Sequence, residues 1–248
     1  MKKASITRAS PEADAPAARK RAAAGGPEAA LGHPAVPPGE MRVELYALRP
    51  TQLTLGMDQV REKMRATLRH AGTADAARAD AALWAFLRRH PLKLVRGPQQ
   101  GLHIVDHHHW ARAWAELGYV HAPARLLLDL GHLAPDAFWR RMETLGHVHP
   151  YDEHGKRLTI AALPHNVMGM RNDPYRSLAA FARNAGAYRK PGSAYGDFQW
   201  AGLFREHIGG RLDTVGGFAL ALAQAIKLAQ GSKARRLPGF TGKLERVA

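Results

Sequence analysis

The sequence predicts an α+β fold. Three observations carry that expectation. Short strand patterns recur between residues 41 and 130, helices with a 3.6-residue apolar period fall between them without regular βαβ alternation, and after Pro150 the pattern turns almost wholly helical. With 46% hydrophobic residues in 248, the chain has enough apolar material for a buried core.

Residues 1–40 are rich in Ala, Pro, Gly and charge and poor in large apolar groups, so they are expected to form a disordered basic tail. The body then divides into an α+β region over 41–149, a helical part over 150–232 that continues the same unit, and a basic tail over 233–248. Val43, Leu45, Tyr46 and Leu48 predict a strand ending at Pro50, and Thr51 to Leu55 a second extended stretch. Asp58 is expected to cap a helix through Val60, Met64 and Leu68. Ala76 to Arg89 reads as a helix with Leu83, Phe86 and Leu87 on one face, stopped by Pro91. Leu92–Val95 is a strand, Gly97-Pro98 a turn, and Leu102–Val105 a further strand. A helix from about His107 to Leu117 ends at Gly118. Leu126–Leu130 is a strand, and Pro135–Leu145 a helix with Asp136 near its positive end. Asp173-Pro174 opens a helix over Tyr175–Asn184, and Phe198–His207 forms another. Val215–Gln230 is apolar almost all round and is expected to pack inside, with Gly231 ending it. Lys233–Ala248 is expected to fray.

The net charge of +15, with a pI near 10.6, points to polyanionic partners: nucleotide, nucleic acid or an anionic surface. The tail holds six basic and four acidic residues, so +13 of that charge sits on the body. The absence of cysteine excludes disulfides, thiolate zinc sites and cysteine nucleophiles. No apolar run follows Lys2-Lys3, and Phe218–Ala229 is too short to span a bilayer, so a cytoplasmic protein without membrane attachment is expected. No Gly-rich stretch ends in the Lys-Ser/Thr of a phosphate loop.

The sharpest local feature is a strand, then Asp106-His107-His108-His109, then a helix. With Asp106 as N-cap, the histidines would occupy the first helical turn, where backbone donors and the dipole favour an anion. His107 and His108 are then candidate proton-transfer groups, and Asp106, His109 and, one turn on, Arg112 candidate phosphate-binding residues. A metal site is a second reading. It needs another contributor, because consecutive helical residues point about 100° apart. His147, His149, Asp152 and His154 form a dense group that could supply one. The third reading is structural, with Asp106 as a cap and the histidines as polar surface. On the Gln59–Lys63 segment, Glu62 is a candidate general base and Lys63 a phosphate clamp; a solvated charged face is the competing reading.

Several ordered boxes resemble the ParB-like nuclease family within the ParB/sulfiredoxin-like superfamily. They are Leu48-Arg49-Pro50-Thr51-Gln52-Leu53-Thr54-Leu55-Gly56 with Val60-Arg61-Glu62-Lys63, then Val105–His109, Ala137-Phe138-Trp139, Pro150-Tyr151-Asp152 and Asp173–Ala179. The resemblance covers roughly residues 44–208. It implies a small mixed sheet with helices whose strand-to-helix turn holds nucleotide phosphates, with ATP, ADP or CTP and Mg²⁺ as the implied cofactors. It also implies phosphoryl transfer or phosphodiester cleavage. The sulfiredoxin reaction needs a cysteine and is excluded. Asp106-His107-His108-His109-Trp110 is similar to the Asp-Gly-His-His-Arg turn of the superfamily's free-serine kinases, with His107 in place of the glycine and Trp110 in place of the arginine. A non-catalytic DNA-binding or partition-type protein is the alternative. Residues 150–248 are basic and helical but carry no helix-turn-helix pattern.

Overall fold

The computed structural model describes residues 40–71, 76–192 and 195–242, apart from the side chains of 76–80. The tail expected over 1–40 lies outside the described residues except for Glu40, as does the end of the second tail, 243–248.

Five strands form a mixed sheet in the order β1 (Met41–Glu44), β6 (His121–Asp129), β4 (Leu92–Arg96), β5 (Leu102–Asp106), β2 (Arg49–Pro50). The β1/β6 and β4/β5 pairs are antiparallel; β4/β6 and β5/β2 are parallel. Successive side chains of a strand point to opposite faces, and β4 uses both. Leu92 and Leu94 join the main core with Leu83, Phe86 and Leu87 of α2 (Ala76–Arg88) and Trp114 of α3 (His108–Glu116). Val95 packs on the other face against Phe138 and Met142 of α4 (Pro135–Thr144). Continuous apolar runs are what a strand covered on both faces requires. β3 (Thr54–Leu55) pairs in parallel with β7 (Arg171–Asn172) and ties the early chain to the later one. α1 (Met57–Ala71) follows β3.

The remaining helices, α5 (Pro174–Asn184), α6 (Gly196–His207) and α7 (Val215–Ala229), share a second core of Leu178, Ala182, Trp200, Phe204 and Ala225. Tyr188 stacks on Trp200 at 3.9 Å. Asp173 caps α5 as expected, its Oδ1 accepting from the Tyr175 amide at 3.0 Å, with Pro174 at the first helical position. Among the described residues, no helix is long and apolar enough to cross a membrane.

The structure corrects five expectations. Val43–Leu48 is not one strand: a 3₁₀ turn at Leu45–Ala47 sends β2 to the opposite edge of the sheet from β1. Asp58 lies inside the first turn of α1, bound to Arg61 at 2.6 Å, and the Gly56 carbonyl accepts from the Val60 amide. The strand expected at Leu126 begins at His121, because its first residues pair with β1. α7 buries only the stripe Ala221, Ala225 and Ala229, leaving Val215 91% and Leu220 63% exposed. The described part of the C-terminal stretch is packed rather than frayed. Trp200 Nε1 donates to the Pro238 carbonyl, and the Arg189 amide to that of Gly239, both at 2.8 Å. Gly239 has φ +83°, and a Cβ there would lie 2.1 Å from the Arg189 carbonyl oxygen, so only glycine fits.

Candidate functional site

β5 runs antiparallel to β4, and its last residue, Asp106, faces Lys93 across the pair. The Asp106 carboxylate accepts from Lys93 Nζ at 2.6 Å through Oδ2, and from the His107 amide at 2.8 Å through Oδ1. Burial opposes its charge, but the Lys93 hydrogen bond, the neighbouring His107 and the His107 amide outweigh that and hold its pKa below the usual carboxylate value. The N-cap of α3 is therefore His107, not Asp106. It sits in left-handed backbone at φ 71°, without a side-chain cap. That is a conformation glycine adopts without strain, at the position where the similar kinase turn carries one.

The three histidines diverge. His107 Nδ1 lies 2.8 Å from the Pro91 carbonyl, which can only accept, so Nδ1 carries the proton and Nε2 is the basic nitrogen. His108 is buried, and its Nε2 accepts from the Thr51 amide at 3.4 Å. Burial pulls its pKa down to about 3, against the Asp106 charge and the Ile104 carbonyl. His109 Nε2 accepts from the Gly56 amide at 3.1 Å; burial, then the charges of Arg176 and Lys63, hold it well below the ordinary imidazole range. His108 and His109 thus lock the turn onto the β2–α1 segment as neutral acceptors.

The expected second histidine group does not assemble either. His149 is held between aromatic rings, its centroid 4.5 Å from Tyr151, 4.9 Å from Tyr195 and 3.7 Å from Phe198. Asp152 caps its own loop by accepting from the amides of His154 and Lys156. Among the described residues, no group of three or more His, Cys, Asp or Glu side chains is placed to hold a metal ion.

In front of the turn lies a cavity of about 540 Å³. Its walls include the turn, α1, β4, α5, residues 190–192 and residues 195–198 at the start of α6. Five cations line it: Lys63, Lys93, Arg176, Arg183 and Lys190. Two carboxylates face them, Asp106 and Asp197. Lys63 Nζ sits 4.7 Å over the Trp110 ring, and burial lowers its pKa. Arg183 forms an ion pair with Asp197. Arg176 is 6% exposed, with its guanidinium 3.7 Å over the Phe198 ring. Burial lowers its pKa although Asp197 and Asp173 oppose the shift. Its Nε and Nη1 have no hydrogen-bond partner, and neither do Gln59 Oε1 or Asp197 Oδ1. All belong to residues of the cavity wall. A buried polar group without a partner is costly, and a polar ligand in the cavity would supply these atoms with partners.

Asp106, His107, His108, His109 and Lys63 come together here, as the sequence suggests. Glu62 does not line the cavity; it is half-buried beside Lys63 on α1. Arg112 is drawn away, its Nη1 donating to the carbonyls of Val167, Met168 and Met170 at 3.0–3.3 Å and its Nε to Glu116 at 2.8 Å. It fastens a loop and does not reach the cavity. Lys93, Arg176, Arg183 and Lys190 were not singled out by sequence reasoning, Gln59 was given no role within the Gln59–Lys63 segment, and Asp197 reads from the sequence as a packing residue with a polar tip. For two of them a signal existed: Arg176 and Arg183 are seven residues apart on a mostly apolar helix and share one of its faces.

Comparison with known proteins bears on the same region. Protein Atu1540 from Agrobacterium tumefaciens has a crystal structure similar to this one, with a TM-score of 0.72 and 32% sequence identity over 84% of this chain and 100% of that chain. No curated protein matches. The family described as "Putative ParB-like nuclease" matches residues 41–206, from β1 into α6. That span contains every wall of the cavity, and by it the chain belongs to this ParB-like nuclease family.

Proposed function

We propose that the cavity binds the phosphates of a nucleotide, or of a nucleic-acid terminus, and that the β5–α3 turn acts on a phosphorus–oxygen bond held there. The observation that carries this reading is the convergence of Lys63, Lys93, Arg176, Arg183 and Lys190 on one concave site with only Asp106 and Asp197 against them. Like charges brought together in a partly buried cavity repel one another, and an entering polyanion relieves that repulsion. The volume suits a ligand of nucleotide size.

Lys63 and Lys190 take phosphate oxygens as point charges. His107 Nε2, left basic by the Nδ1–H bond to Pro91, accepts the proton of the attacking water or hydroxyl as its oxygen bonds to phosphorus and the bond to the leaving oxygen breaks. Asp106, ionised and held by Lys93, would offer one carboxylate contact to a Mg²⁺ ion. Such an ion would supply charge neutralisation on the phosphates. His108 and His109 position the turn, a role assigned because both already accept backbone hydrogen bonds and stay neutral at physiological pH. The body charge supports a second reading, salt-dependent binding of duplex DNA without turnover.

Calorimetric titration with ATP, ADP and CTP in the presence of Mg²⁺ tests the reading. Saturable binding of at least one, weakened about tenfold or more by Lys190→Ala, is expected. A folded protein that binds none of the three overturns it. Asparagine tolerates left-handed backbone, so His107→Asn is expected to keep binding and lose turnover. Unchanged turnover in that variant removes His107 as the base.

A further inference from the structure

We infer that the unpartnered polar atoms of the cavity wall seat a ribose cis-diol, so that the ligand is a ribonucleotide in preference to its 2′-deoxy counterpart. This rests on the nucleotide reading above. Four buried atoms of the wall lack partners: two acceptors, Gln59 Oε1 and Asp197 Oδ1, and two donors, Arg176 Nε and Nη1. Gln59 and Arg176 are more than nine-tenths buried, at 9% and 6% exposure, so water outside the cavity does not serve them. Asp197 and Arg176 feel each other's charge, yet no hydrogen bond joins them. The other Asp197 oxygen is taken by Arg183.

A ligand group that meets these four atoms must donate and accept together. Phosphate oxygens satisfy Arg176 but set acceptor against acceptor at Gln59 and Asp197. A cis-diol donates two hydrogens and offers lone pairs on both oxygens, which matches two acceptors and two donors; a carboxylate accepting from a ribose hydroxyl is a familiar way to hold that sugar. Base stacking is a poorer fit, because the aromatic rings of the wall are already engaged. Phe198 carries the Arg176 guanidinium and the His149 ring, each at 3.7 Å, and Trp110 carries His90 at 4.2 Å and Lys63 at 4.7 Å. The phosphates then extend toward Lys63, Lys93 and Lys190, and the sugar edge, not the base, sets selectivity.

The test is calorimetric titration of the full chain with ATP against 2′-deoxy-ATP and CTP against 2′-deoxy-CTP, all with Mg²⁺. The ribose form is expected to bind about 10- to 100-fold more tightly in both pairs, the range set by leaving buried polar partners unmet. In Gln59→Met, which keeps side-chain length and removes the acceptor, the ratio is expected to fall toward one through loss of ribonucleotide affinity. Equal binding of ribose and deoxyribose forms by the wild type overturns this inference and leaves the nucleotide reading standing, as does selectivity for the base with none for the sugar. Failure of all four ligands overturns both. The wild-type comparison decides the matter even if Gln59→Met does not fold.

Discussion

At position 107 the backbone turns left-handed, and the next two side chains are committed as acceptors to the amides of Thr51 and Gly56. That commitment has a pH signature. His108 and His149 are held at about 3 and His103 at about 4, each chiefly by burial, against an ordinary value of 6.5. As the pH falls below about 6.5, the unfolded chain takes up protons on these rings before the folded one does. The stability they contribute is complete above that pH and drains as the pH drops toward 3–4. The urea midpoint is expected to be lower at pH 5 than at pH 7; an equal or higher midpoint at pH 5 contradicts the burial of these rings. The sequence made the Asp106–His109 cluster legible because strand, acid and helix are contiguous. Arg176, Gln59 and Asp197 were opaque for a physical reason: each is unremarkable within its own helix, and only the packing of α1, α5 and α6 around one cavity gives them a joint meaning.

Among the elements, the start of α1 is capped in trans. The Met57 amide donates to Asn172 Oδ1 at 3.0 Å and the Asp58 amide to Ser177 Oγ at 3.2 Å. A Cβ on Gly56 would lie 2.5 Å from both the amide nitrogen and the Oγ of Ser177, so α1 and α5 meet there without room for a methyl group. Gly56→Ala is expected to destabilise the fold by roughly 1–3 kcal/mol, and Ser177→Ala by about 1 kcal/mol through the lost cap, both read from urea midpoints. No loss in Gly56→Ala contradicts that contact. α7 offers the converse case. Leu220→Gln, on its solvent face, is expected to change stability by less than about 0.5 kcal/mol, whereas Ala225→Leu, in its buried stripe, is expected to cost about 1–3 kcal/mol. The nature of most elements was readable from apolar period and punctuation. Apolar residues all round α7 say nothing about how much of the molecule is present to cover them, and the pattern of Val43–Leu48 cannot reveal a turn that carries the chain across a five-stranded sheet.

For the molecule as a whole, the mixed sheet and the α5–α7 bundle meet at the cavity, so a ligand there bridges both parts. Ligand at 100 times its Kd is then expected to add about 2.7 kcal/mol of stability, raising the thermal midpoint of the whole unfolding transition. An unchanged midpoint at saturation contradicts a bridging ligand. With five cations in the wall and a body charge of +13, the affinity for a nucleotide is also expected to fall as salt rises. Composition already pointed to a polyanion; the cavity proposed to hold it forms only through the way the chain folds back on itself. The most direct measurement is a crystal structure of the protein with ATP and Mg²⁺. Phosphate density is expected within hydrogen-bond distance of Lys63 or Lys190 and beside the β5–α3 turn. A nucleotide found only elsewhere on the basic surface, with this cavity holding water, would contradict it.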